Sequence, residues 1–202
     1  MKRSGVLFSL VVSVPLFATV AVAQEMKQET KTSTTTKMKM KPARSAAWKI
    51  QNAMSAAPRA ISKDATVMDF PPSEGAEMPV LRKGTNGWTC LPDMADTPAN
   101  DPMCMDKMAM EWAAAWMGHK EPNLASTGIG YMLQGGGSAS NSDPYAMKPA
   151  AGETWMKEPP HLMLFPAGGK LDATVYTSDP KSGGPWIMWG GTPYQHLMVP
   201  VK

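Results

Sequence analysis

Three things are scarce in this chain of 202 residues, and each scarcity excludes something. Branched aliphatic residues are few: from Ser45 onward there are eight leucines, four isoleucines and five valines against 15 methionines. A core cannot be built here without methionine, an unbranched and polarizable side chain that packs adaptably against aromatic rings. Catalytic signatures are also missing. The chain contains no Gly-x-Ser-x-Gly, no His-Glu-x-x-His and no phosphate loop ending in Gly-Lys-Ser/Thr. Cysteine is limited to Cys90 and Cys104, which lack the Cys-x-x-Cys spacing of a disulfide oxidoreductase.

What is present first places the protein in a compartment. Lys2 and Arg3 precede an apolar run from Val6 to Val20, and Ala21-Val22-Ala23 offers the small residues at which a signal peptidase cuts. The run is short for a bilayer span, no stop-transfer charges adjoin it, and no cysteine marks the cleavage point for lipid attachment. Residues 1–23 read as a cleavable signal peptide. Export to the periplasm or beyond the cell follows, and the mature chain is expected to carry no transmembrane span. In an oxidising compartment two cysteines pair, so a Cys90–Cys104 disulfide is expected. Closing a loop of about 15 residues is worth roughly 3 kcal/mol in the chain-entropy model.

Residues 24–44 have no apolar periodicity and carry six basic against two acidic groups. This segment reads as a disordered basic tether, able to contact anionic surfaces weakly. From Ser45 onward the count is 12 basic against 15 acidic. A nucleic-acid groove needs basic residues concentrated within the folded part, so nucleic-acid binding is not expected.

Residues 45–202 read as one α+β domain with a largely antiparallel sheet, two main helices and long Pro/Gly-rich loops. Ser45 is placed to cap a helix over about 46–57, which Pro58 ends. Short strands are expected at 65–69, 78–82 and 88–91, joined by turns as an antiparallel meander. Asp101-Pro102 resembles a helix start, and Met105, Met108, Trp112, Ala115 and Trp116 form an apolar stripe over about 102–117. Gly118 is the expected left-handed cap, and His119 beyond it suits the negative end of the helix dipole. Further strands are expected at 128–134, 161–165, 173–176, 186–189 and 195–199, with a flexible glycine run at 135–138.

Candidate chemistry comes from three patterns. The tripeptide His-Leu-Met occurs at 161–163 and again at 196–198. On strands, His161 and Met163 share one side, as do His196 and Met198, so two neighbouring strands assemble an N2S2 set suited to copper. Met103, Met105, Met108 and Met110 crowd the expected helix start, but alternate helical residues do not converge on one point. An indole among Trp186 and Trp189, three apart on a strand, is expected at the surface near Tyr194, where it can stack on a sugar ring or a partner's side chain. Asp143, Asp172 and Asp179 are the carboxylates available to pair with His161 or His196 as general acid and base in a small exported hydrolase. The balance favours a non-catalytic binding module for an envelope or extracellular ligand, with no cofactor required, over a copper-handling protein or that hydrolase.

Overall fold

The computed structural model describes residues 44–73 and 75–201. The expected signal peptide and all but the last residue of the expected tether lie outside the described residues. The described residues form three helices and ten strands: α1 (Ala46–Met54), α2 (Arg59–Ser62), β1 (Thr66–Met68), β2 (Val80–Arg82), β3 (Thr89–Leu91), β4 (Met103–Met105), α3 (Lys107–Met117), β5 (Gly128–Met132), β6 (Gly136–Ser138), β7 (Met156–Glu158), β8 (His161–Phe165), β9 (Trp186–Met188) and β10 (His196–Pro200). Eight strands make the main sheet in the order β2-β1-β3-β4-β5-β8-β10-β9, while β6 and β7 pair separately. The α+β expectation with a largely antiparallel sheet holds. No helix among the described residues is long and apolar enough to cross a membrane.

The N-terminal half follows from small residues and caps. Ser45 accepts a hydrogen bond from the Trp48 N–H, so α1 starts where its sequence directs. It ends earlier than expected, at Met54. The Ser55 hydroxyl turns back to the Asn52 carbonyl, and Pro58 opens the short α2 instead of closing α1. The expected meander is also corrected. β2 pairs antiparallel with one side of β1, but the chain crosses over and β3 pairs parallel on the other side. Arg82 on β2 fixes this corner by donating to the Ser62 and Ala65 carbonyls.

The central stretch differs most from its sequence reading. Met103–Met105 is not a first helical turn but strand β4, held between β3 and β5. Strand pairing supplies these residues with two sets of backbone partners, which outweighs the Asp101-Pro102 start signal. Asp101 caps no helix; its carboxylate accepts from the Met94 N–H and the Thr97 hydroxyl. The cap of α3 is Asp106, which accepts from the Ala109 N–H and, through its other oxygen, from the Ile129 N–H. Cys90 and Cys104 are direct partners across β3 and β4, and the expected disulfide joins them. Cys104 therefore lies on β4 and not in the first turn of the helix expected over about 102–117.

Side-chain alternation then splits the core between the two faces of the main sheet. Cys90, Cys104 and Val67 face α1 and pack with Ala53, Ala56, Ala57 and Ala65. Their neighbours Leu91 and Met105 face α3 and join Trp112, Phe165, Trp186, Met163 and Met198. The α3 stripe is shifted accordingly: Ala109, Trp112 and Ala113 are its buried residues.

Three further expectations change. Gly136–Ser138 is strand β6, paired with β7, not a flexible run. Residues 173–176 form a turn closed by Asp172, whose carboxylate accepts from the Thr174 N–H and hydroxyl. The left-handed residue after α3 is His119, at φ 52°, since Gly118 lies at φ −85°.

Candidate functional site

The repeated tripeptide lies on hydrogen-bonded neighbours. β8 and β10 pair with Met163 opposite Met198 and His161 opposite Pro200. All four side chains of the two His-x-Met units lie on one face and are buried. The arrangement is two-fold: the methionines meet in the middle, with one histidine beyond each. Each histidine binds the carbonyl two residues before it, His161 Nδ1 to Pro159 at 2.7 Å and His196 Nδ1 to Tyr194 at 3.0 Å. A carbonyl only accepts, so Nδ1 carries the hydrogen in both rings and Nε2 keeps the lone pair. Burial depresses both imidazoles, against the opposing effect of those carbonyls. His161 falls below the usual range and His196 falls to about 4, with proximity to His161 adding to the latter.

The histidines differ in their surroundings. His196 is enclosed by Trp112, Phe165 and Trp189, with ring centroids 5.1, 5.1 and 5.2 Å away. His161 has Trp186 at 6.3 Å, and its Nε2 is buried without a hydrogen-bond partner. The four side chains thus share a face but present two unequal ends.

The aromatic surface expected at Trp186, Trp189 and Tyr194 does not form from those residues. Trp186 is 1% and Tyr194 7% exposed, because β9 turns its Trp186 face toward α3. Trp189 lies past the end of β9 at φ 54°, and this left-handed conformation brings its indole back to the same side. There it stacks on Trp112 at 5.9 Å and on Trp116 at 5.6 Å. Tyr145 stacks on Trp116 at 6.2 Å, and His119 stacks on Tyr145 at 4.2 Å. A column of rings therefore runs from the core to the surface. The loop after β6 holds it in place: Trp116 Nε1 donates to the Pro144 carbonyl, Trp189 Nε1 to the Ser140 carbonyl and the Tyr145 hydroxyl to the Trp116 carbonyl. At the outer end His119 and Tyr145 are exposed, as are Met117 and Met147 nearby in sequence.

An open cleft of about 810 Å³ is walled by residues that follow His119 and Trp189 in sequence, together with Gly168, Gly169, Lys170 and Leu171. Glu121 and Asn123 follow His119 closely in sequence, Thr192 and Gln195 bracket Tyr194, and Lys170 also lines the cleft. The cleft lining mixes polar side chains with Pro122, Leu171 and Pro193.

A third group was not anticipated. Asp101 and Glu158 are 5% and 8% exposed and approach each other beside Gly136, where a Cβ would lie 2.8 Å from Glu158 Oε2. Burial raises Glu158 to about 7 despite a hydrogen bond from Ser138, and the charge of Asp101 adds to the rise. Burial likewise raises Asp101 to about 6, against its bonds from Thr97 and Met94. By contrast, Asp143, Asp172 and Asp179 each accept hydrogen bonds inside their own turns, not from a histidine. No group of three His, Cys, Asp or Glu among the described residues is placed to hold a metal ion.

No family model, curated protein or solved structure matches this chain. The site therefore has to be read from its own geometry. Sequence reasoning found the His-x-Met pairing through its repeat and the Trp112/Trp116 spacing through helical periodicity. It missed Tyr145 and His119, which join the column only through a loop and a left-handed residue. It missed Glu158 and Asp101 because nothing in a lone carboxylate's neighbourhood announces burial.

Proposed function

We propose that the protein is a non-catalytic binding module of an oxidising compartment, and that the outer end of the aromatic column is its recognition surface. One observation carries this reading. Among the described residues only His119 and Trp189 are non-glycine residues with positive φ, and both belong to the column. Such a conformation costs about 1–3 kcal/mol for a residue with a side chain, and persists where the surroundings impose it for a purpose. A bulky indole is the least expected occupant.

An exposed aromatic face, followed two residues after His119 by the start of a cleft that carries Glu121, Asn123 and Lys170, suits a ligand with both apolar and hydroxyl-bearing sides. A pyranose ring fits: its C–H face stacks on the exposed Tyr145–His119 end while its hydroxyls reach Glu121, Asn123 and Lys170. The disulfide fits an exported protein, since such bonds persist outside the reducing cytosol. The test is titration of the full chain with soluble envelope glycan fragments and with a neutral chitin oligomer, followed by tryptophan fluorescence and calorimetry. Tyr145→Ala, on an exposed loop, is expected to weaken binding about tenfold, the equivalent of one lost aromatic stack. Unchanged affinity in that variant, or no binding of any glycan by the wild type, overturns the proposal.

A further inference from the structure

We propose that His161, Met163 and Met198 form a binding site for a soft monovalent cation, Cu(I) or Ag(I), with Trp186 as its roof. This site is separate from the glycan surface and does not depend on it. The placement follows from register. Met163 and Met198 face each other directly, which sets Cβ atoms about 4.5–5.5 Å apart, and His161 is two residues from Met163 and diagonal to Met198. Trp186 is the partner of Met198 on β9, so its ring lies over the same patch.

The second observation is an orphaned lone pair. His161 Nε2 is buried without a hydrogen-bond partner; the Trp186 Nε1–H, also unpartnered, is a donor that a cation does not satisfy and adds nothing to the assignment. Buried nitrogen atoms are nearly always satisfied, and a bare lone pair in an apolar interior calls for an acceptor of its electrons. A metal ion is such an acceptor. The tautomer is already correct for ligation, because the Pro159 carbonyl holds the hydrogen on Nδ1.

The donor set decides which ion. One imidazole and two thioethers carry no charge, and among the described residues no group of three His, Cys, Asp or Glu is placed to join them. A divalent ion would be left uncompensated in a buried site, whereas a soft monovalent ion matches thioether sulfur and carries half the charge. The indole face adds a cation–π contact. His196 occupies the equivalent place at the other end of the ladder but is closed in by Trp112, Phe165 and Trp189. The histidine ligand is therefore His161.

One adjustment is needed. The Met163 methyl lies over Gly130, where a Cβ would be 2.7 Å from it, so its terminal torsions must turn to aim the sulfur at Met198. An unbranched chain does this readily. β9 is the outermost strand of the sheet, so local opening of that edge admits the ion.

Ag(I) titration of the full chain, followed by methionine-methyl NMR, tests the assignment without redox chemistry. The chain holds no free cysteine to compete for silver among the described residues. One ion should bind per chain, shifting the Met163 and Met198 methyl signals and quenching Trp186. Met163→Leu and Met198→Leu conserve volume, so the fold is retained and can be checked by its melting curve. Each, like His161→Gln, should weaken Ag(I) and chelator-competed Cu(I) binding by at least about tenfold, the scale reached even by removing a ligand's outer partners. Unchanged affinity in the Met163→Leu, Met198→Leu double variant, or shifts confined to other methionines such as Met38 and Met40, overturns the site. An equal loss in His196→Gln overturns the choice of histidine.

Discussion

The two faces of the main sheet are built from different materials. Against α1 the core is alanine, valine and the disulfide, and backbones approach closely over small side chains. Against α3 it is methionine and aromatic rings, and three buried polar atoms there, Trp112 Nε1, His161 Nε2 and Trp186 Nε1, have no partner. Both left-handed non-glycine residues among those described also belong to the α3 side's aromatic column. Packing on the α1 face is settled by a covalent clasp. On the α3 face strain and unpaired atoms persist, and sites of that kind are where function is carried.

Breaking each face should cost differently. Trp112→Ala removes the ring that touches Trp116, Phe165, Trp189, Tyr194 and His196, and is expected to lower stability by about 3–5 kcal/mol in urea unfolding. Replacing Cys90 and Cys104 together by alanine acts on the α1 face and should cost about 3 kcal/mol, mostly through the unfolded chain. If the disulfide loss exceeds the tryptophan loss, the α3 face contributes less than its packing implies.

Titration separates the groups again. Glu158 and Asp101 have raised values, so they favour the folded state at low pH and lose that contribution as pH rises toward 7 and 6. His196, lowered to about 4, has the opposite sign: its contribution is present above the usual histidine range and is lost as pH falls toward 4. The two effects oppose each other in the wild type between about pH 4.5 and 6. Glu158→Gln keeps a partner for Ser138 but removes one titrating carboxyl. Measured against the wild type, its stability should rise by about 3 kcal/mol between pH 4.5 and 7.5. A constant difference across that range would mean that Glu158 is ionised in the folded protein.

The smallest effect is the most discriminating. His119→Gly relieves the left-handed backbone but gives up the stack on Tyr145. Stability should stay level or rise by up to about 1 kcal/mol while glycan affinity falls. Loss of both would make His119 a structural residue only.

Much of the architecture was legible in the chain. Ser45 capping α1, the Cys90–Cys104 bridge and β8 over 161–165 follow from local chemistry, and so does the shared face of the two His-x-Met units. What was not legible depended on competition between distant segments. Met103–Met105 reads as a helical turn until β3 and β5 offer it hydrogen bonds from both sides. Strand β3 reads as the third strand of a meander until the far side of β1 proves to be its partner. The column escaped for a related reason: a left-handed tryptophan reverses the face that period-two alternation assigns to it.

The position of the disulfide has a consequence for biogenesis. Cys90 and Cys104 stand opposite each other within one hairpin, so oxidation requires only β3, β4 and the proline-bearing loop between them. The bond can close before the distant strands β5, β8 and β10 arrive, and no rival thiol exists to mispair with it. A protease that nicks the 92–102 loop would leave the two pieces of the molecule covalently joined.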